Sequence, residues 1–285
     1  MNGKGKLFLF FFGVTVFFSL PMMYALDADI NVSADNFAFL DNGTIASKVP
    51  DFGFEAEISD TFTETIGAMF KIQRTPVIGN VLKARVTFGN PSILFSIGPS
   101  IGTLNKPHKQ KELATAFQPG LGVGMRILTE KGFLLRFDID FSIFTGVSNK
   151  NIYLNNGIFE VGMRMNHVLM SVSAAQLTRT STMGNNTTTG ITDFGLNFEV
   201  FSKPSHFVFP LSCIFRIAKY NNQTDSSNDA SIGSVVLRTG FEHNLYNDLG
   251  YYIRAEVPVY NFALSGTMPS AFRYNVTAGV KFHVD

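Results

Sequence analysis

Residues 135–143 read Leu-Arg-Phe-Asp-Ile-Asp-Phe-Ser-Ile, with apolar side chains at every odd position and polar ones at every even position. A β-strand turns successive side chains to opposite faces, so this segment presents one apolar face and one ionic face. A helix fails the same test: at about 100° per residue Arg136 and Asp138 fall on opposite sides and no apolar stripe survives. The pattern recurs. Phe52, Phe54, Ala56 and Ile58 alternate with Gly53, Glu55 and Glu57, and Leu82, Ala84, Val86 and Phe88 with Lys83, Arg85 and Thr87. Phe194, Leu196, Phe198 and Val200 alternate with Asp193, Gly195, Asn197 and Glu199. The last such run sets Tyr274, Val276, Ala278, Val280, Phe282 and Val284 against Asn275, Thr277, Gly279, Lys281 and His283.

The connections alternate too. Short turns fall near 89–92, 129–132, 166–167, 202–205 and 244–249, and long polar loops near 101–113, 146–156, 178–189, 220–230 and 263–270. Ahead of the strands, Lys4 and Lys6 precede an apolar run from Leu7 to Leu20 that Pro21 breaks. That layout predicts a signal peptide over 1–25, cut after Ala25, with Ala28 as a second site. The run is shorter than the roughly 20 apolar residues that a membrane-spanning helix needs. Repeated alternation behind an export signal predicts an all-β fold, a transmembrane antiparallel up-and-down β-barrel over residues 26–285. A soluble β-sandwich is the rival, but so many long strands exceed what two packed sheets usually hold.

Parity sets the number of strands. The last strand follows a long loop, so the segment at 52–58 runs in the same direction and needs a partner before it. Residues 29–40 are the one candidate, and the slip of alternation between Ala34 and Phe37 predicts a bulge. That gives fourteen strands; twelve follow if everything before Ile66 is a plug or tail. Pro99, Pro119, Pro210 and Pro258 are expected near strand ends, because proline cannot donate to a ladder.

Composition agrees with a surface that partly faces lipid. Charged residues make up 16% of the chain, against about 25% in soluble domains. Thirty Phe and eight Tyr, with no Trp, are available for the aromatic girdles of a membrane barrel. The balance of 23 basic and 22 acidic residues gives no footprint for a nucleic-acid partner. A lone cysteine, Cys213, excludes an internal disulfide.

The polar parity carries the candidate chemistry: Lys83, Arg85, Arg126, Arg136, Asp138, Asp140, Glu160, Arg164, Glu199, Arg216, Arg238, Glu242, Arg254 and Glu256 are the lumen-facing candidates. Lys71, Lys281, Glu55, Glu57 and Asp193 share that face. The signs nearly cancel, which predicts weak ion selectivity, and a barrel of twelve to fourteen strands leaves an aqueous lumen. Most of these charges are expected to form cross-strand pairs. No serine–histidine–acid pattern surrounds His108, His167, His206, His243 or His283, so no catalytic residues are assigned and no enzyme is expected. No Cys/His cluster suggests a metal, and no cofactor is implied. Gly120-x-Gly122-x-Gly124 is alternation within a strand, since no helix follows it as a nucleotide loop requires. The polar runs Gly184–Gly190 and Asn221–Asp229 read as exposed surface loops.

On these features the chain resembles bacterial outer-membrane β-barrels of the small monomeric porin type. The resemblance is one of architecture over nearly the whole mature chain. It implies a channel for passive diffusion of small solutes, located in the bacterial outer membrane after export. It implies contact with outer-membrane lipid, help from the barrel-insertion machinery during assembly, and a monomer. The alternative is a surface-exposed barrel acting through its external loops as an adhesin or structural protein. Such barrels commonly end on an aromatic residue, whereas this chain ends Val280-Lys-Phe-His-Val-Asp285.

Overall fold

Alternation makes a two-faced sheet, but only pairing of the first strand with the last makes a barrel. The computed structural model describes residues 25–36, 38–39, 45–46, 51–75, 79–90, 92–103, 117–142, 152–181, 187–202, 206–222, 226, 229–246, 249–266 and 274–284. The predicted export segment lies outside them, apart from Ala25. The strands are β1 (Ala25–Asp35), β2 (Ala38–Phe39), β3 (Ile45–Ala46), β4 (Asp51–Thr63), β5 (Ile66–Thr75), β6 (Gly79–Asn90), β7 (Ile93–Thr103) and β8 (Phe117–Leu128). They continue as β9 (Phe133–Ser142), β10 (Ile152–Met165), β11 (Val168–Ser181), β12 (Thr187–Phe201), β13 (Phe207–Asn222), β14 (Ala230–Tyr246), β15 (Leu249–Ser265) and β16 (Asn275–Val284).

Fourteen of these close into one antiparallel barrel in up-and-down order, while β2 and β3 pair separately. The seam is β1. It pairs with β16 from Leu26↔Val284 to Asp35↔Asn275 and with β4 from Ala25↔Thr61 to Asp35↔Asp51, with no shift in either register. The count is therefore fourteen, not twelve. The bulged strand expected over 29–40 is corrected: β1 is regular and ends at Asp35, and Phe39 belongs to β2. The register shifts fall instead at Thr61/Thr63, Ser231/Ile232, Val235/Val236 and Asn244/Tyr246.

The apolar parity faces outward, and among the described residues no other layer of protein covers it. Phe52 is 68% exposed, Ile253 52% and Phe95 49%. The same face carries Val86, Phe159, Val172, Phe194 and Leu211 around the wall. A belt of this kind is stable only against a nonpolar solvent, which is the arrangement of a membrane barrel. Near the mouth that holds the chain ends, Phe207 stacks on His243 at 4.4 Å, and His243 Nδ1 lies 3.0 Å from the Tyr251 hydroxyl.

Turns at that mouth are locally encoded. Asn166, with φ 44°, closes the two-residue hairpin between β10 and β11 in the left-handed region that Asn tolerates. Asn90 Oδ1 accepts from the amides of Ser92 and Ile93 at 2.9 Å each. Thr129 Oγ1 accepts from the Phe133 amide at 3.0 Å, with Gly132 at φ 85° inside the turn.

Two expectations are adjusted. Pro99 and Pro258 stand inside β7 and β15, not near their ends. The ladder tolerates them because it is already interrupted there. Pairing of β6 with β7 skips Ala84 and Arg85 opposite Pro99 and Gly98, and Pro258 adjoins the Val235/Val236 shift. Pro210 meets a similar gap between β13 and β14. The loops at 146–156, 178–189 and 220–230 are also shorter than their polarity suggested, since β10 begins at Ile152, β12 at Thr187, and β13 runs to Asn222. Polarity there marks strand that rises above the apolar belt. β10–β15 hold 14 to 17 residues each, and the other barrel strands 10 to 13.

A charge on the outer face tests the assignment. Phe95→Arg or Phe159→Arg is expected to cost about 2–4 kcal/mol of folding free energy in a bilayer if the position lies near the midplane. Urea titration of the refolded barrel in vesicles reads this directly. Unchanged stability for both variants contradicts the outward belt.

Candidate functional site

The lumen wall is built from the polar parity of every strand, and its charges fall into separate groups. The most enclosed joins β6 to β9. Lys83 and Arg85 leave β6, and Asp138 and Asp140 leave β9. Arg85 Nη1 and Nη2 donate to Asp138 at 3.0 and 2.8 Å, Nη2 donates to Asp140 at 2.6 Å, and Nη1 reaches Ser96 Oγ at 3.3 Å. Lys83 pairs with Asp140 as well. Two strands separate these partners, and glycine makes the crossing possible. A Cβ at Gly122 would stand 2.6 Å from Arg85 Nε, and one at Gly124 would stand 3.0 Å from Nη1. The guanidinium thus lies flat on a bare stretch of β8. Arg85 is 3% exposed, Asp140 5% and Lys83 7%. Two cations and two carboxylates neutralise one another where neither could be buried alone.

A second group runs over β12–β15. Arg216 grips Asp193 with Nε and Nη2 at 2.8 and 2.7 Å, a two-pronged geometry that lysine cannot make. Its Nη1 lies 2.5 Å from Glu256, which also accepts from Arg238 at 2.7 Å. A third group crosses the seam. Glu242 accepts from Lys281 Nζ at 2.8 Å on both oxygens, with Arg254 3.5 Å away. The Arg254 guanidinium and the Lys281 ammonium sit over the Tyr252 ring at 4.6 and 5.4 Å. Tyr252 lies across Gly279 and donates its hydroxyl to Asp29 at 2.8 Å. On β4 and β5, Lys71 pairs with Glu55 at 2.8 Å and Glu57 at 3.2 Å.

The remaining candidates are dispersed. Ser171 donates to Glu160 at 2.5 Å, and Asn197 donates to Ser171 and Ser173. Glu199 stands on β12 opposite Leu169 and Pro210. Arg164 lies over the Phe201 ring at 4.7 Å. Arg126 and Arg136 face each other across β8 and β9. Among the described residues no group of three His, Cys, Asp or Glu fits a metal ion. Cys213 is exposed on the outward parity of β13, and His108 lies outside the described residues.

Sequence reasoning missed two features of the lumen. The first is Tyr252 with Asp29, which only the closure of β1 onto β16 brings together. The second is an apolar stretch on the inner face, where Ile214, Ala218, Ile232 and Val236 share the parity of Arg216 and are at most 2% exposed. A signal existed: Cys213-Ile-Phe and Val235-Val-Leu237 are apolar on both parities. Two of the cavities among the described residues bear on the lumen. One of about 500 Å³ is lined by Asp29, Asn31, Arg216, Arg238 and Arg254 with Leu177 and Ile191. One of about 670 Å³ lies toward the chain-end mouth, between Arg126 and Arg136 on one side and Asp27, Glu57 and His283 on the other.

No family model matches this chain, and no curated protein matches it in sequence. Solved structures do match in fold. An outer membrane channel from Pseudomonas putida F1 is 6% identical with a TM-score of 0.50, over 93% of this chain and 97% of that one. The CymD monoaromatic hydrocarbon channel is 7% identical with a TM-score of 0.50, over 92% and 88%. A loop-deletion form of OmpT, an outer membrane protein of Vibrio cholerae, is 7% identical with a TM-score of 0.44, over 91% and 98%. At these identities the likeness is one of fold: the chain has the closed-barrel architecture of bacterial outer-membrane proteins.

The β6–β9 group yields a test of the wall. Arg85→Ala leaves Asp138 and Asp140 short of a partner and is expected to cost about 3–5 kcal/mol of stability. Gly122→Val displaces the same guanidinium and is expected to destabilise in the same direction. Chemical denaturation of both variants in detergent checks this, and a wild-type transition for Arg85→Ala removes the group from the structural account.

Proposed function

We propose that the protein is an outer-membrane channel for passive diffusion of small solutes. The observation that carries this reading is the pairing of an apolar outer belt with an ionic inner wall on one closed sheet of fourteen strands. Barrels of eight strands fill with side chains, and wider ones retain aqueous space. The cavities of about 500 and 670 Å³ inside this wall agree with solutes of small-molecule size. The local pairing of lumen charges supports a role in stiffening the wall more than in chemistry, so the reading is of a channel and not of an enzyme. The barrel closes within one chain, which supports a monomeric pore. Outer-membrane lipid is then the solvent of the belt, and the insertion machinery is its route of assembly.

The tall strands β10–β15 favour a second reading, in which a polar rim standing above the belt serves surface contacts. Planar-bilayer recording separates the two. The refolded chain, its folding checked by heat-modifiable migration in SDS gels, is expected to give discrete conductance steps. A folded barrel that gives no steps rejects the channel and favours the rim.

A further inference from the structure

We propose that Arg126 and Arg136 form a capture site for small organic anions, carboxylates with an apolar body, at the chain-end mouth of the barrel. This deepens the channel reading by naming the class of solute. The two residues are directly opposite in register on β8 and β9, where Cβ atoms stand about 5 Å apart. Both side chains are exposed to the lumen. Like charges so placed repel each other, and a bound carboxylate relieves that repulsion with charge-assisted hydrogen bonds from both guanidinium groups.

Asp27, Glu57, Asp60, Glu64 and Asp138 all line the cavity, so it is the immediate surroundings of the two arginines, not the cavity as a whole, that favour an anion. Of these carboxylates, Asp138 is held by Arg85 at 2.8 Å, Glu57 by Lys71 at 3.2 Å and Asp27 by His283 at 2.6 Å. Asp60 is buried on the other parity, and Glu64 lies in the turn between β4 and β5. Glu160, next to Arg136 in register on β10, is turned to Ser171. Among the described residues no carboxylate lies within 4.0 Å of either arginine. The other lumen cations are engaged: Lys71, Lys83, Arg85, Arg216, Arg238, Arg254 and Lys281 by carboxylates and Arg164 by an aromatic ring. Leu94, opposite Arg126 on β7, and Met69 on β5 line the same space and supply an apolar seat.

The test measures reversal potential across a KCl gradient for the wild-type channel and for Arg126→Ser with Arg136→Ser. Lys219→Ser serves as a control, because it removes an exposed cation on the outward parity of β13, away from the lumen. The wild type is expected to prefer chloride, the double variant to lose that preference, and the control to keep it. A cation-preferring wild type, or a double variant that keeps the chloride preference, overturns the site. The second measurement needs no conduction: benzoate binding to the folded barrel in detergent, by calorimetry. Loss of two charge-assisted contacts is expected to weaken binding roughly tenfold or more. Binding lost in the double variant while no channel is seen upholds the site and rejects the channel, and a wild type that does not bind benzoate overturns the site.

Discussion

Everything in this structure depends on the pairing of β1 with β16. In a nonpolar solvent each unpaired backbone amide or carbonyl costs several kcal/mol, so an open edge is not a stable state. The ten-pair register from Leu26↔Val284 to Asp35↔Asn275 removes that edge. Closure brings Tyr252 on β15 to Asp29 on β1 across 223 positions of sequence. Beside that contact, Lys281 meets Glu242 within the consecutive strands β14–β16. The aromatic ring, the two cations above it and the glycine beneath it form a clasp over the strands nearest the seam.

Inside the wall, the charges behave as short circuits. Arg85 and Lys83 cancel Asp138 and Asp140, Arg216 holds Asp193 and shares Glu256 with Arg238, and Arg254 and Lys281 share Glu242. Each group spans neighbouring or near-neighbouring strands, so each ties the sheet laterally. The glycines Gly122 and Gly279 are part of this design, because they provide the space in which a long side chain lies down on the wall. A near-zero net charge therefore hides an uneven distribution, in which most ions are spoken for locally and a few are not.

The two-faced pattern of the strands was legible in the sequence because a β-strand has a fixed period of two and the lipid belt demands apolar residues at every other position. That is why Phe95, Phe159 and Leu196 could be assigned to a face without coordinates. The strand ends were less legible. Thr188 and Asn222 look like loop residues, yet they pair in β12 and β13, since backbone bonds do not depend on polarity. The interior of β7 tolerates Pro99 because the ladder opens opposite it, a three-dimensional accident that no local pattern announces. Which lumen charges meet was illegible for a stronger reason. Arg85 reaches Asp138 across 53 residues and two intervening strands, and that contact depends on stagger between strands, which side-chain parity does not encode. The inward turn of Ile214 and Val236 was masked by the expectation that the inner face is polar throughout.

The unequal strands give the barrel a slanted rim. Four or five extra residues on β10–β15, tilted as barrel strands are, raise that side of the wall by about 10 Å above the other. Among the described strands the sheet therefore has a tall side and a low side, a front and a back about the barrel axis, so how far the wall stands above the apolar belt depends on the direction from which it is approached.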